Sequence, residues 1–292
     1  MLDDPTSWKD RVFVMVSPDC IVRRLVRDVL RRFAEIGLEP VGWRLATVTP
    51  DRIDRMSELQ QLTADKVYRY RALDALFRLG PALMIVLADQ LGRSADDFYA
   101  QAKDLKGDAE PSHARPGTIR HDLGATNKVL NLVHTSDSPQ AAAAECPVLS
   151  GGTDPTLYCS SDVEPVLQLL EFGPREYRDH AAVLGGVRTR LTAAVWAQLS
   201  PAARTLADRL VRDATIGDPL SGKLLEDALS AEQVHPPEAA TVLGMAFDGC
   251  APAADLHTVR RVLAWHGLRL DPWEDAVLTT GAVFAPVAAR PL

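Results

Sequence analysis

The residues with the clearest chemical potential lie around one histidine, His134. It follows an apolar run at residues 129–133 and precedes Thr135, Ser136 and Asp137 in the segment NLVHTSDS. An imidazole at the end of a buried strand can serve as a nucleophile or as a general acid or base, because its pKa lies near neutrality. A Ser-His-Asp triad is excluded, since the sequence has no nucleophile elbow and Ser136 and Asp137 stand too close to His134 in the chain to form one unaided.

Alternating strand and helix patterns precede His134 and place it at the end of a predicted strand. Short β-branched runs predict the strands, and apolar residues at helical spacing, such as Leu25, Val29 and Phe33, predict the helices. In chain order, strands are predicted at 11–16, 39–50, 82–88 and up to His134, and helices at 21–36, 50–79 (one helix or a pair) and 94–105. This order is compatible with a ferredoxin-like split βαβ antiparallel sheet.

Two motifs in this region resemble the active-site segment of the nucleoside diphosphate kinase family. RPGTIR at residues 115–120 is followed after a short gap by NLVHTSDS at residues 131–138. The likeness extends back through VFVMVSPD at residues 12–19, the helix that ends in FAEIGLEPVGWRL, and the Gly80-Pro81 pair before the third strand. It covers the chain up to about residue 146. The resemblance implies an α/β domain with a nucleoside diphosphate kinase-like fold.

The resemblance also implies a role for each matching residue. His134 corresponds to the family's phosphorylated histidine, Glu145 stands at the spacing of the glutamate that orients the ring, and Ser136 matches the hydroxyl beside the histidine. Arg120 and Asn131 match the positions that contact phosphate and ribose. A neutral imidazole held in one tautomer is what phosphoryl transfer through a phosphohistidine requires. Pro147 follows Glu145 closely, which leaves a second possibility open. In that case the helix that carries Glu145 is short and the glutamate side chain is exposed.

Further nucleotide-binding candidates are weaker matches to the same family. Lys103 falls near the position of a phosphate-binding arginine in the family, and Arg69 falls near the position of the family's base-stacking phenylalanine. Arg115 and Thr118 belong to the RPGTIR motif. The resemblance implies ATP or another nucleoside triphosphate as phosphoryl donor, with Mg²⁺ bridging its phosphates and few or no protein ligands to the metal. It also suggests a homo-oligomer.

The sequence departs from the family at several positions that would hold the nucleotide. Ser17 stands where the family has a lysine, and Met56 stands where the family has a tyrosine. Ala109 lies near the position of a phosphate-binding threonine in the family, and Thr135 replaces the glycine that normally follows the histidine. Losing one charge-assisted donor to a transition-state phosphate costs about 3 to 4 kcal/mol unless another group replaces it. The cations that could replace it from the neighbouring helix are Lys66, Arg69 and Arg71.

Three functions therefore stay open. The first is phosphoryl transfer from a nucleoside triphosphate through His134 to a nucleoside diphosphate or another phosphorylated acceptor. The second is a catalytically altered nucleotide-binding or regulatory module. The third is a repurposed enzyme that acts on another anionic metabolite and uses His134 as a general acid or base. The sequence does not identify the acceptor, the preferred base or the pathway.

Composition limits the partners of the chain. The net charge is −7, and the 32 lysine and arginine residues are concentrated in residues 1–150. An acidic remainder disfavours nucleic acid and favours a small anion such as a nucleotide phosphate or a phosphorylated metabolite. The longest apolar runs are too short for a membrane span, and the polar start is unlike a secretory signal, so we expect a cytoplasmic protein. The four cysteines form no C-x-x-C pair, and the histidines show no metal-ligand spacing, so we expect no protein metal site.

The second half of the chain has a different pattern. We assign residues 1–148 to the kinase-like domain, 149–162 to a linker or insertion containing Ser150-Gly151-Gly152, and 163–292 to an α-helical domain. Helical periodicity predicts helices at 163–172, 177–199, 202–214, 223–229, 237–247 and 253–265. No catalytic motif is evident there. Part of residues 163–177 alternatively completes the kinase-like fold.

Overall fold

The computed structural model describes residues 3–56, 64–152, 158–159, 162–173, 175, 177–249 and 253–287, with only the backbone for 64–70 and 253–254. Its contacts divide the chain into two compact units, one that ends at Tyr177 and one that begins at Arg178. Among these described residues, no helix is both long and apolar enough to cross a membrane.

The first unit is built on a four-stranded antiparallel sheet. Its strands are β1 (Arg11–Val16), β2 (Leu38–Ala46), β3 (Ala82–Asp89) and β4 (Val133–Thr135), and their spatial order is β2-β3-β1-β4. β1 pairs antiparallel with both β3 and β4, and β2 pairs antiparallel with β3. The central strands are almost wholly buried, as their continuous β-branched and apolar residues require. This topology confirms the predicted ferredoxin-like sheet.

Helices of the first unit connect and cover these strands. In the described part of this unit they are α1 (Pro18–Val22), α2 (Val26–Ala34), α3 (Pro50–Ile53), α4 (Ala64–Phe77), α5 (Ala95–Lys106), α6 (Ile119–Asp122), α7 (Pro139–Ser150) and α8 (Glu164–Leu170). Ser94 caps α5 and Ser138 caps α7, each accepting a backbone N–H of the first turn. A serine in the sequence therefore marks the start of each of these two helices.

The single helix predicted at residues 21–36 is wrong, because the chain breaks it into α1 and α2. Arg24 lies at the break with a φ of 56°, in the left-handed region. The neighbouring Arg23 is buried and donates its guanidinium to the carbonyls of Leu123 and Gly124, at 2.8 Å each. These contacts with a distant loop decide the break, and no local sequence signal contains them.

The apolar run at residues 129–133 is not the predicted strand. Val129, Leu130 and Leu132 are buried, but the backbone makes a tight turn there, and β4 starts only at Val133. The carboxamide of Asn127 accepts the N–H groups of Val129 and Leu130 at 2.9 Å each. Leu132 has a φ of 75°, and its N–H donates to the carboxylate of Asp19 at 3.1 Å. Side-chain acceptors therefore replace the strand ladder up to the residue before β4.

Residues that follow α7 pair with the outer edge of β2 and form the last helix of the first unit. Cys159 exchanges two backbone hydrogen bonds with Trp43, at 2.8 and 3.0 Å. In α8, Glu164 forms an ion pair with Arg27 at 2.6 Å. Residues 163–177 therefore lie within the first compact unit, whereas the composition change assigned them to the helical domain.

In the described residues of the second unit, the regular secondary structure is helical. Its α-helices are α9 (His180–Ala194), α10 (Pro201–Arg212), α11 (Pro219–Ser230), α12 (Glu238–Gly244), α13 (Ala253–Trp265) and α14 (Pro272–Gly281). Helical periodicity predicts the first five, with shifted ends, and misses α14. Asp271 and Glu274 begin α14 with a capping box. Buried Arg188 on α9 donates to four backbone carbonyls in the surrounding loops and helix ends, at 2.7 to 3.0 Å.

Candidate active site

His134 and Glu145 are hydrogen-bonded partners in the first unit. His134 lies at the centre of β4, paired with Met15 of β1, and its side chain is 33% exposed. Its Nε2 donates to Oε2 of Glu145 at 2.8 Å, and the hydroxyl of Ser136 donates to the same oxygen at 2.5 Å. Because the carboxylate is an acceptor, the proton belongs on Nε2 and Nδ1 carries the free electron pair.

The helix that carries Glu145 is a full α7, in spite of Pro147. It runs from Pro139 to Ser150, and the Glu145 side chain is only 15% exposed. Burial raises the pKa of this carboxyl, but hydrogen bonding and charge from His134, together with the Ser136 hydroxyl, outweigh that effect and leave the pKa below its ordinary value. Glu145 is therefore an ionised carboxylate that fixes the orientation of the ring.

A cavity of about 270 Å³ opens beside the imidazole. It is bounded by β1, β4, α3, α4, α6, the end of α7 and the turn before β4. Its described lining is mostly apolar, with polar groups at Ser17, Arg120, Lys128, Asn131 and His134. The apolar lining residues are Met15, Ile53, Met56, Leu73, Leu76, Phe77, Ala109, Val129 and Leu149.

Arg120 reaches the cavity, but its guanidinium is already hydrogen-bonded to the protein backbone. It donates to the carbonyls of Gly107 at 3.0 Å, Val133 at 2.7 Å and Asn131 at 3.3 Å. The side chain is 5% exposed, and burial lowers its pKa to about 10. Arg120 thus holds the Gly107 loop against the segment that precedes His134 and supplies positive charge at the cavity wall.

The other polar groups of the cavity are less constrained. Asn131 donates one amide N–H to the carbonyl of Lys128 at 2.7 Å, which leaves the second N–H available. Lys128 is exposed and forms no ion pair with any residue that the structure describes. Ser17 is buried at the start of α1 and lines the cavity where the resemblance implies a lysine.

Three further binding candidates, Arg115, Thr118 and Lys103, do not line this cavity. Arg115 forms an ion pair with Asp104, and Thr118 donates its hydroxyl to the carbonyl of Arg115 at 2.7 Å. Both line a separate surface groove beside α5. Lys103 pairs with Asp137 at 3.4 Å and is 62% exposed. The side chains of Arg69 and Lys66 lie outside the described part of the structure, and Arg71 pairs with Asp54 and Asp74.

Two buried ionisable residues near the site escaped the sequence analysis. Lys106 is 7% exposed and donates to the carbonyl of Thr135 at 3.2 Å and to Asp137 at 3.4 Å. Burial lowers its pKa, with a further contribution from Arg120. Asp19 is fully buried, and burial raises its pKa to about 6 despite the neighbouring Arg23. For Asp19 the available signal was an ionisable residue beside an apolar run, in SPDCIV, whereas KDLKG around Lys106 offers no such signal.

A magnesium ion would find few protein ligands in the cavity. Its described lining contains no carboxylate, and no cluster of three or more histidine, cysteine, aspartate or glutamate side chains suited to a metal occurs among the described residues. Magnesium prefers oxygen ligands and retains water readily. The residues present therefore fit a metal that arrives on substrate phosphates and takes its remaining ligands from water.

Sequence comparisons relate part of the first unit to known proteins. Residues 10–150 match the sequence model of the family described as nucleoside diphosphate kinase. A nucleoside diphosphate kinase of Methanocorpusculum labreanum is 32% identical over 136 residues, which are 47% of this chain and 84% of that protein. One of Rhodopirellula baltica is 33% identical over 137 residues, 46% of this chain and 82% of that protein. The crystal structure of the apo enzyme from Encephalitozoon cuniculi matches with a TM-score of 0.41 and 26% identity, over 48% of this chain and 87% of that chain.

Proposed function

The chain belongs to the nucleoside diphosphate kinase family through residues 10–150, and from that premise we propose that it transfers a terminal phosphoryl group from a nucleoside triphosphate to His134. The group then passes to a nucleoside diphosphate or another phosphorylated acceptor. The observation that carries this proposal is the 2.8 Å hydrogen bond from Nε2 of His134 to Glu145, beside an open cavity.

The chemistry of this step follows from the position of the proton. With Nε2–H donating to the carboxylate, Nδ1 presents its electron pair to the terminal phosphorus, forms the N–P bond and releases the nucleoside diphosphate. The positive charge that develops on the ring is stabilised by ionised Glu145. A second diphosphate reverses the step, and its terminal oxygen takes the phosphoryl group from Nδ1.

The surrounding residues position the ring and favour negative charge. Arg120 donates to the carbonyls of Asn131 and Val133, which precede His134 in the chain. Lys128 and Asn131 offer donors from the turn before β4. Magnesium bound to the nucleotide would neutralise charge on the phosphates. Proximity and fixed donors supply most of the catalysis in phosphoryl transfer, so a rigid β4 is the main requirement.

A second candidate function is nucleotide or ligand binding without phosphoryl transfer. It is favoured by the engagement of Arg120 with three carbonyls and by the apolar side chains at most lining positions. Among the described lining residues, few donors are therefore free for the phosphates of a triphosphate.

Radiolabelling separates the two candidates. Full-length protein and the His134→Ala variant are incubated with γ-labelled ATP and Mg²⁺. Transfer predicts an alkali-stable, acid-labile label on the wild type that is absent from the variant and chases onto a nucleoside diphosphate. Nucleotide binding by equilibrium dialysis without any label would instead support the binding module and contradict the kinase.

A further inference from the structure

The strand that carries His134, β4, is the last strand at one end of the sheet, so β1 pairs with only one of its edges. On this paired edge the N–H of Ser136 donates to the carbonyl of Phe13 at 3.1 Å. Backbone groups of successive residues alternate between the two edges of a strand. The carbonyls of Val133 and Thr135 therefore point to the outer edge, away from β1.

Two buried cations donate to these outward carbonyls. The guanidinium of Arg120 on α6 donates to the carbonyl of Val133 at 2.7 Å, and the ammonium of Lys106 at the end of α5 donates to the carbonyl of Thr135 at 3.2 Å. The two residues are 5% and 7% exposed. A buried carbonyl without a donor is costly, and an unpaired strand edge presents a row of such groups. The two side chains therefore do for this edge what a neighbouring strand does elsewhere in a sheet.

Asp137 gives the Lys106 ammonium a second attachment to the same segment. Its Oδ1 accepts from Lys106 at 3.4 Å, and its Oδ2 accepts from Lys103 at 3.4 Å. Burial raises the pKa of Asp137, but the two lysines outweigh that effect and leave the pKa below its ordinary value. Asp137 is therefore an ionised partner for Lys106. The carbonyl of Thr135 and the carboxylate of Asp137 together anchor residues 135–137 to α5.

The anchored residues 135–137 include a hydroxyl that belongs to the candidate active site. Ser136 donates to the same oxygen of Glu145 that accepts Nε2–H of His134. The two residues that Lys106 holds stand on either side of Ser136 in the chain, and His134 directly precedes them. A shift of this backbone would move both donors relative to the carboxylate. Misplacing a reacting group by about 1 Å can cost a factor of about a hundred in rate.

We infer that Lys106 is a positioning residue for His134, and that its ammonium fixes the backbone after the imidazole through the Thr135 carbonyl and the Asp137 carboxylate. The effect on reaction rate rests on the proposed phosphohistidine, whereas the effect on the ring does not. Lys106 is not among the described residues that line the cavity. It therefore acts on the rate of transfer through the ring and leaves nucleotide binding unchanged.

The kinetic test measures single-turnover labelling of full-length protein by γ-labelled ATP with Mg²⁺, over a range of ATP concentrations. Lys106→Met keeps the length of the side chain and removes its charge and donors. The maximal rate should fall by about tenfold, the lower end of what a hydrogen bond to a charged group is worth. The ATP concentration at half-maximal rate should stay within about twofold of wild type. Lys106→Arg restores a charged donor and should recover at least about threefold of the lost rate.

Lys9→Met is the matched control, because it makes the same substitution at an exposed lysine before β1, and it should leave the rate unchanged. If Lys106→Met does not fold, Lys106→Gln removes the charge and keeps a neutral N–H, and it should be labelled more slowly than Lys106→Arg. A folded Lys106→Met with the wild-type maximal rate would overturn the inference. So would a variant whose only change is a higher half-maximal ATP concentration, since that result assigns Lys106 to binding.

A second measurement does not depend on phosphorylation. Exchange of the Nε2 proton of His134 with water is followed by NMR in protein labelled with ¹⁵N-histidine, and the signal is assigned by its loss in His134→Ala. The exchange should be about tenfold faster in Lys106→Met than in wild type, because the loosened backbone weakens the bond to Glu145. Equal exchange rates would contradict the positioning role. Faster exchange in a protein that ATP never labels would support that role and contradict the proposed function.

Discussion

Replacing Glu145 by glutamine tests the step on which the proposed chemistry depends. The variant keeps the size of the side chain and a carbonyl oxygen for Nε2 of His134, but it removes the negative charge 2.8 Å from the ring. A hydrogen bond to a buried charged group contributes about 1.5–3 kcal/mol. Since each 1.36 kcal/mol is a factor of ten in rate, phosphorylation of His134 should slow by about 10- to 150-fold.

The assay is the single-turnover rate of labelling by γ-labelled ATP in a quenched-flow instrument. Ser136→Ala removes a neutral donor to the same carboxylate oxygen, so it should slow the reaction less than Glu145→Gln. Glu39→Gln, which neutralises an exposed glutamate on β2, is the matched control and should leave the rate unchanged. Because the pKa of Glu145 lies below its ordinary value of 4.5, its carboxylate is ionised at neutral and higher pH, and the rates are compared at about pH 8. A Glu145→Gln rate within about threefold of wild type would refute the assigned role.

Three stability predictions follow from buried or strained groups. Burial raises the folded pKa of Asp19 from 3.8 to about 6, so the free energy of unfolding falls as pH rises through this window. Asp19→Asn should therefore raise the free energy of unfolding by up to about 3 kcal/mol at pH 8 and leave it unchanged at pH 3. Urea titrations at both pH values check this, and a lower free energy of unfolding for the variant at pH 8 would contradict it. Gly107→Ala should lower the free energy of unfolding by about 1–3 kcal/mol, because the φ at this residue is 86° and a Cβ would lie 2.6 Å from Oγ1 of Thr118. An unchanged melting temperature would contradict this prediction. Arg188→Leu should lower the free energy of unfolding by at least about 3 kcal/mol, because four buried carbonyls lose their hydrogen-bond donor. Arg212→Leu at an exposed position should lower it by less than about 0.5 kcal/mol, and equal urea midpoints for the two variants would disprove the role of Arg188.

Local patterns predicted most of the elements of the first unit and the order of its strands. Apolar β-branched runs are sufficient for β1 and β3, and Ser94 marks the start of α5. The break at Arg24 and the turn before β4 were missed because they depend on side chains distant in the chain, such as Asp19 bonding to Leu132. Sequence periodicity contains no information about such contacts.

The candidate site shows the same division between local spacing and tertiary contacts. The resemblance to the nucleoside diphosphate kinase family singled out Glu145, eleven residues after His134, and the two side chains are hydrogen-bonded, while their roles in catalysis stay predictions. The resemblance likewise pointed to Arg120, which lines the cavity. Its bonds to three carbonyls could not be anticipated, since they require the folded loops around Gly107 and Val133. Arg115 has the right motif and points to a different groove.

The most direct test of the central claim is the identity of the nitrogen that carries phosphate. Protein labelled with ¹⁵N-histidine is treated with ATP and Mg²⁺, and ³¹P–¹⁵N couplings are recorded by NMR alongside His134→Ala. The account predicts one phosphohistidine, with phosphorus on Nδ1 of His134 and Nε2 still protonated toward Glu145. Phosphorus on Nε2, on another residue, or on none would contradict it.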